Sequence, residues 1–120
     1  MDWTLNSGRP IWLQLKEQIA VGIVTGEYAP GSKLPSVRDL ALKAGVNPNT
    51  MQRALTELER DGLAQSMGTM GRVVTEDMEI INELRKTFAR DLVMQYLKGM
   101  ERLGYSAADA YKELGEWLHE

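Results

Sequence analysis

The sequence predicts a mainly α-helical fold with one small β-hairpin, and three observations support this class. Five segments combine apolar residues at steps of three and four with residues that favour helix starts or ends. Two short β-prone runs, 63–65 and 72–75, flank a glycine-bearing tip and predict the hairpin. No repeat or low-complexity tract interrupts the 120 residues, which are enough for one domain or for a small domain with an appendage.

The first helix is predicted to start at Pro10 and to end near Gly26. Proline suits the first turn of a helix because its missing N–H would have no partner there. The apolar residues that follow recur at steps of four, which places them on one helix face: Ile11, Leu15, Ile19 and Ile23.

Two short helices follow, joined by a connection of about three residues. Ser36 is expected to cap the first of them, with Asp39 completing a capping-box-like pair, and Gly45 is expected to end it. Asn47 marks the start of the next helix, which should run to about Asp61. A connection this short forces a large angle between the helices and leaves the N-terminal half of the second one protruding, as in a helix-turn-helix.

The hairpin completes the outline of a winged helix-turn-helix. From about residue 76 to about residue 103, apolar residues recur at helical spacing and predict one long helix, and Ser106 begins a last helix. We therefore expect a winged helix-turn-helix DNA-binding domain over residues 1–75 and a two-helix tail over residues 76–120.

The net charge of −3 is unevenly divided along the chain. Residues 1–75 carry eight basic and seven acidic side chains, a net charge of +1. Residues 76–120 carry six basic and ten acidic side chains, a net charge of −4. The first part can therefore present a locally basic surface to nucleic acid, although the whole chain is acidic.

Composition argues against several classes of site and location. The absence of cysteine excludes disulfides, thiolate metal sites and a cysteine nucleophile, and a single histidine, His119, cannot build a catalytic triad or a histidine metal cluster. No apolar run approaches the roughly 20 residues of a membrane span, and residues 1–4 lack the features of a secretory signal. We expect a cytoplasmic protein that is not an enzyme and has no metal, cofactor or membrane partner.

The start of the third helix carries side chains suited to reading DNA. A helix-turn-helix places this part in the major groove, where Asn and Gln can bind adenine, Arg can bind guanine, and Thr can reach a base or a phosphate. The alternative is that Asn47 and Thr50 only satisfy their own helix end, and that any exposed helix face is polar. The candidate DNA contacts on this helix are Asn47, Asn49, Thr50, Gln52 and Arg53.

Two further regions hold candidate DNA contacts. Ser36 and Arg38 lie at the start of the second helix, where a helix-turn-helix crosses the DNA backbone. Gly71 and Arg72 lie at the wing, whose glycines would let the backbone approach the minor groove. The alternatives are a solvated arginine and a hairpin turn that needs positive φ.

Over residues 10–75 the sequence resembles the GntR family of bacterial transcription regulators. The motifs that carry the resemblance include Pro10-Ile11-Trp12, Leu34-Pro35-Ser36-Val37-Arg38, Val46-Asn47, Arg53-Ala54-Leu55, Gly62-Leu63 and Gly71-Arg72-Val73-Val74. The short C-terminal part and the wording of residues 46–50 look like the YtrA subfamily of small dimeric regulators. The resemblance implies DNA contacts at Ser36, Arg38, Asn49, Thr50, Gln52, Arg53 and around Gly71. Many family members have Arg where this chain has Pro48 and Gln52, so no base preference is carried over.

The tail is predicted to form a dimer interface. Its two helices carry more apolar surface than one small domain can cover, and pairing with a second copy would bury it and set the spacing of two reading helices. The alternative is that both helices fold back on their own domain. The predicted contact residues are Phe88, Leu92, Tyr96, Tyr111, Leu114, Trp117 and Leu118.

These observations lead to the hypothesis of a sequence-specific transcriptional regulator that binds double-stranded DNA. It is expected to be a repressor and to bind a palindromic operator as a homodimer. The alternative is a winged helix that serves as a protein–protein interaction module without specific DNA binding. GntR proteins usually sense a metabolite through a larger C-terminal domain, whereas two helices have no room for an enclosed pocket. Whether an unidentified small-molecule effector binds at the domain–tail junction or at the dimer interface stays open.

Overall fold

The computed structural model describes residues 2–119, and within them it contains five α-helices and one antiparallel hairpin. This is the predicted class, a mainly α-helical winged helix-turn-helix followed by two helices. The elements in chain order are α1 (Ile11–Val24), α2 (Val37–Ala44), α3 (Pro48–Arg60), β1 (Ala64–Ser66), β2 (Arg72–Val74), α4 (Met78–Arg102) and α5 (Ala107–Leu118).

Side-chain caps and one glycine set the ends of α2 and the start of α3. The hydroxyl of Ser36 accepts the N–H of Asp39 at 3.1 Å, and Oδ1 of Asn47 accepts the N–H of Asn49 at 2.7 Å. Gly45 has φ 71°, the left-handed conformation that ends many helices, and it adopts this conformation without strain because glycine has no Cβ. The predicted start and stop positions are therefore confirmed.

The chain divides into two compact units, one that ends at Arg85 and one that begins at Lys86. The division falls later than the one predicted after Thr75, because the first turns of α4 belong to the first unit. Ile81 is buried there, and Nη2 of Arg85 donates to the backbone oxygen of Val24 at 2.6 Å. That bond satisfies a carbonyl in the last turn of α1.

The core of the first unit lies between the inward faces of α1, α2 and α3 and is closed by the root of the wing. The predicted rows of apolar residues at steps of three and four form these faces. The largest fully buried side chains are Leu15, Ile19, Ile23, Leu34, Leu40, Met51, Leu55, Leu58, Val74 and Ile81. Leu34 lies in the segment before α2, and Val74 lies in β2 of the wing. Because both side chains are buried, the core fixes the positions of that segment and of the wing.

The wing is the hairpin of β1 and β2, in which Gln65 lies opposite Val73. A short 3-10 turn, Gly68–Met70, forms its tip. The N–H of Met67 donates to the backbone oxygen of Gly71 at 2.7 Å and closes the hairpin below the tip.

The second edge of β2 is also paired, with the segment 32–34 that leads into α2. The N–H of Leu34 donates to the oxygen of Arg72 at 2.9 Å, and the N–H of Val74 donates to the oxygen of Ser32 at 2.8 Å. Sequence patterning does not predict this strand-like segment because it is too short to show an alternation. The wing is thereby joined directly to the approach of α2.

The segment before α1 is fastened to that helix by two glutamines one turn apart. The side chain of Gln14 accepts the N–H of Asn6 and donates to its carbonyl, at 2.9 and 2.8 Å. Gln18 makes the same pair of bonds with Thr4, at 3.2 and 2.7 Å. Two amide side chains thus hold the chain that precedes the first helix.

The second unit contains the rest of α4 and all of α5, joined by a turn at Gly104. The hydroxyl of Ser106 accepts the N–H of Asp109 at 3.1 Å and caps α5 as predicted. The phenol O–H of Tyr96 donates to the backbone oxygen of Ala110 at 2.7 Å, at the point where Ala110 is buried. This bond ties the two helices together.

Candidate nucleic-acid interface

The exposed side of α3 presents a polar face, which we call the reading face and define as Asn49, Gln52, Arg53 and Thr56. The opposite side of the helix is buried in the core. Nε2 of Gln52 donates to the hydroxyl of Thr56 at 3.3 Å, so these two side chains form one polar group. Amide and guanidinium groups on such a face match the donors and acceptors of base edges. Thr56 is on this face but was not among the predicted contacts.

Asn47 and Thr50 lie at the start of α3, where the side chain of Asn47 caps the helix. Asn47 is exposed and uses Oδ1 to cap the helix, which leaves its side-chain NH₂ to donate elsewhere. Thr50 is half-buried. The capping interpretation of Asn47 therefore holds, and a DNA contact through its amide stays a prediction.

Arg53 lies against an aromatic ring of α1. Its guanidinium carbon is 4.2 Å from the centroid of the Trp12 ring, within the range of a cation–π contact. The sequence did not predict this pair, because no periodicity within one helix reveals which residues of another helix it will face.

Ser36 at the start of α2 lies on a cleft shared with the wing, of about 340 Å³. The cleft brings Ser36 together with two other predicted contacts, Gly71 and Arg72, although they are far apart in sequence. Arg38 is exposed in the first turn of α2 but does not line this cleft. The lining residues are Lys33, Leu34, Pro35, Ser36, Val37, Ser66, Gly68, Thr69, Gly71 and Arg72.

Arg72 is held by a carboxylate of α3. Its Nε donates to Oε1 of Glu59 at 2.5 Å, and the hydroxyl of Ser66 donates to the same oxygen at 2.7 Å. Burial raises the pKa of the Glu59 carboxyl, but the hydrogen bonds from Ser66 and Arg72 outweigh burial and hold that pKa below its ordinary value. Arg72 therefore fastens the wing to α3, and any contact of Arg72 with DNA would be made by its remaining nitrogens.

Gly71 adopts a conformation that only glycine tolerates well. Its φ of 77° and ψ of −151° lie in a region that Cβ makes costly for other residues. The need for positive φ, which was the alternative interpretation of this glycine, therefore explains its presence without DNA. An approach of its backbone to the minor groove stays a prediction.

The two faces of the wing border different clefts. Ser66, Thr69 and Arg72 line the cleft shared with α2, whereas Met67 and Met70 line a second cleft of about 440 Å³ on the other face. Both methionines are exposed. This second cleft lies within the first unit and is lined by Gly31, Gly62, Ala64, Gln65, Met67, Met70, Val73, Val74, Thr75 and Glu76.

The predicted dimer contacts in the second unit fall into two groups. Phe88 and Tyr96 are half-buried, and Tyr96 already bonds to α5 within the unit. The others are exposed: Leu92, Tyr111, Leu114, Trp117 and Leu118. Val93 of α4 and Leu103, just after the end of α4, are exposed as well and were not predicted.

Within residues 2–119, no group of three or more His, Cys, Asp or Glu side chains is placed to hold a metal ion. In the same part of the chain, no helix is both long enough and apolar enough to cross a membrane.

The first unit matches a known family of proteins. The family model for bacterial regulatory proteins of the gntR family matches residues 12–74, which is more than half of the chain. The chain belongs to the GntR family. The match includes α1, α2, α3 and the wing, and the predicted resemblance is thereby confirmed.

Two GntR relatives extend the similarity into the tail. The chain is 40% identical to the HTH-type transcriptional regulator YhcF of Bacillus subtilis over 104 residues, covering 87% of this chain and 86% of the relative. It is 31% identical to the HTH-type transcriptional repressor YtrA of the same organism over 116 residues, covering 96% and 86%. The second match supports the predicted YtrA-like subfamily.

Solved structures agree with this assignment. A GntR family transcriptional regulator from Listeria monocytogenes has 35% identity and a TM-score of 0.83, with 96% of this chain and 97% of that chain covered. The DNA-binding domain of AraR, solved in complex with an operator, has 26% identity and a TM-score of 0.58, covering 62% and 96%. The protein is thus a GntR-type transcriptional regulator with a winged helix-turn-helix, and the expectation that it is not an enzyme is confirmed by its family.

Proposed function

We propose that this GntR protein is a homodimeric repressor that binds a palindromic operator in double-stranded DNA. The observation that carries the proposal is the reading face of α3, whose polar side chains are exposed while the opposite side is buried. The face follows a tight turn from α2, so it protrudes far enough to enter a major groove.

Three groups of residues have distinct roles in this proposal. Asn49 and Gln52 contact base edges, because carboxamides can bind adenine bidentately. Ser36 and Arg38 contact the DNA backbone at the start of α2 and fix the register.

Further phosphate or groove contacts come from two places. One is the start of α3, through Thr50 and the amide of Asn47, and the other is the wing around Gly71 and Arg72. Arg53, the remaining candidate, lies on the side of the reading face that adjoins Trp12 of α1.

The homodimer is supported by the apolar surface of the second unit. Trp117 and Leu118 are 72% and 83% exposed, and large apolar side chains exposed together mark an interaction site. A two-fold pairing would place two reading faces on successive half-sites. The repressor role is supported by the resemblance to the repressor YtrA.

The test begins with selection of bound duplexes from a random DNA pool by the purified protein. We expect a palindromic site, and a binding constant that falls steeply with salt because phosphate contacts release counterions. A pool without enrichment, or binding that does not respond to salt, would favour the protein–protein module instead.

The role of Arg38 is tested with a matched pair of variants on the same helix. Arg38→Gln should weaken binding to the selected site by about tenfold or more, because it removes a charged DNA contact. Lys43→Gln removes the same charge from the last turn of α2 and should bind like the parent. Equal affinities for the two variants in fluorescence anisotropy would rule out the backbone-anchoring role of Arg38.

A further inference from the structure

The contact between Trp12 and Arg53 joins α1 to the reading face. The guanidinium carbon lies 4.2 Å from the ring centroid, so the ring and the cation attract each other through the ring quadrupole. Trp12 is half-buried in the first turns of α1, whereas Arg53 is exposed on α3. The better-fixed partner is therefore the tryptophan, and Arg53 is the side chain whose freedom the contact restricts.

A second contact between the same two helices keeps Trp12 beside Arg53. One turn after Trp12, Nζ of Lys16 forms an ion pair with Asp61 at the end of α3, at 2.6 Å. Residues four apart lie on the same side of a helix, so Trp12 and Lys16 form one edge of α1 that runs beside α3. This edge holds α3 at two places along its length.

No carboxylate neutralises the charge of Arg53 in the part of the chain that the structure describes. None of the ion pairs among residues 2–119 includes Arg53. Stacking occupies the flat face of a guanidinium and leaves its N–H edge to donate, and that edge matches the oxygens of a phosphate.

The direction of the side chain argues for a phosphate rather than a base. In a helix-turn-helix the first residues of the recognition helix contact the bases, and Arg53 is the sixth residue of α3. Its guanidinium also leans onto α1, toward the flank of the helix. Phosphates line the flank of a major groove, whereas the base edges lie at its floor.

We infer that Trp12 is a positioning residue for DNA binding: it holds the guanidinium of Arg53 against a DNA phosphate at the edge of the major groove. This inference rests on the proposed function and refines it, because it assigns Arg53 to anchoring and leaves base reading to Asn49 and Gln52. An arginine side chain carries much rotamer entropy, so holding it in place before binding lowers the entropy lost on binding.

The inference is tested by a double-mutant cycle of Trp12→Leu and Arg53→Gln on the selected operator. Arg53→Gln should reduce the salt slope of binding by about one and leave the base preference unchanged, because only a phosphate contact is lost. Trp12→Leu should weaken binding about two- to fivefold when Arg53 is present, the range of an exposed cation–π contact. In the Arg53→Gln background it should have no further effect.

Two conservative variants separate positioning from loss of structure. Trp12→Phe keeps an aromatic face and should restore most of the affinity, and Arg53→Lys keeps the charge and should restore the salt slope. The contact can be measured without DNA by NMR. The ring current of Trp12 should shift the δ protons of Arg53 upfield. Trp12→Leu should remove that shift. Its unfolding midpoint should stay above the temperature of the binding assay, so that the variant is folded when binding is measured.

Several outcomes would overturn the inference. It is wrong if the two substitutions weaken binding additively, if Arg53→Gln alters the preferred base at one position, or if Arg53 shows no ring-current shift. A parent protein that binds no operator would overturn the proposed function as well, whereas a parent that binds normally with an additive cycle would overturn only the role of Trp12.

Discussion

Glu59 is a single carboxylate that joins α3 to both strands of the wing. It accepts hydrogen bonds from Ser66 of β1 and Arg72 of β2, and one of its oxygens serves both. A hydrogen bond to an ionised group is stronger than one between neutral groups, so the link depends on the charge of Glu59. Protonation of this residue should therefore loosen the wing.

The stability that this link provides should depend on pH. Because the pKa of Glu59 in the folded protein lies below its ordinary value of 4.5, the ionised carboxylate stabilises the fold above that pH. The contribution is lost as the pH falls through the folded pKa. Glu59→Gln should lower the free energy of unfolding by about 1 to 2 kcal/mol at pH 7, and the difference from the parent should shrink in acid.

Urea unfolding of parent and variant from pH 7 to pH 3 measures this effect. The control is Glu57→Gln, two residues earlier on α3, whose half-buried carboxylate pairs with the exposed Arg60 of the same helix. A pair three residues apart on one helix contributes only about 0.2 to 0.5 kcal/mol, so this variant should stay close to the parent throughout the range. A Glu59→Gln difference that stays constant down to pH 3 would refute the role of the charge.

For individual residues, the sequence predicted which side chains of a helix are exposed and which one caps it. It missed the contacts between side chains of different elements. Helical periodicity placed Asn49 and Gln52 on the exposed side of α3, and capping preferences identified Asn47. The partners of Arg53 and Arg72 depend on how helices and wing pack against each other. No local pattern contains that information, so the sequence predicts both residues as DNA contacts and does not predict their partners within the protein.

The wing is the element whose shape depends most on one residue. Gly71 precedes β2 with a backbone conformation that side chains avoid, and its carbonyl accepts the bond from Met67 that closes the hairpin. Its substitution should therefore act on the wing as a unit.

Gly71→Ala should destabilise the protein by roughly 1 to 3 kcal/mol, the cost of forcing a side chain into this conformation. The matched control is Gly99→Ala in the last turn of α4, where an added methyl group meets no neighbouring atom. Alanine favours a helix over glycine by about 0.5 to 1 kcal/mol, so this variant should be stabilised. Thermal unfolding measures both, and a Gly71→Ala protein as stable as the parent would contradict the strained conformation.

At the element scale, the sequence predicted the helices well because their ends carry specific residues. Ser36, Gly45 and Ser106 each lie where the structure has a helix end. Segment 32–34 was missed because three residues are too few to show the side-chain alternation of a strand. The 3-10 turn at the wing tip is equally short and was missed as well.

For the whole molecule, the important feature of the second unit is its set of exposed apolar side chains. Within this unit α5 buries only Ala110 among its described residues. In water, exposure of tryptophan and leucine side chains costs free energy that association with a second copy would recover. The proposed dimer follows from this cost.

Substitution of Trp117 by Glu should convert the dimer into monomers in sedimentation experiments, because a charge would be placed in the apolar contact. Loss of the second reading face should weaken binding to the full palindrome by about a hundredfold, while affinity for a half-site stays unchanged. Lys112→Glu, on the polar side of the same helix, should remain dimeric. Monomeric parent protein at micromolar concentration would refute the dimer.

The predicted domain boundary illustrates the limit of sequence reasoning at this scale. The change of charge and periodicity after Thr75 located the start of α4 to within a few residues. It did not reveal that Ile81 and Arg85 belong to the first unit, because a helix that begins in one unit and continues into the next has the same sequence pattern throughout.

The pairing of β2 with segment 32–34 has a consequence for the order in which the protein forms. During synthesis α1, α2 and α3 emerge before Arg72, but the backbone hydrogen bond from Leu34 to Arg72 cannot form until Arg72 has left the ribosome. Closing such a distant pair costs chain entropy unless the intervening helices are already compact. The bonds that join the wing to segment 32–34 can therefore form only after α3 has been synthesised, and a chain that stops before Arg72 lacks both β2 and this pairing.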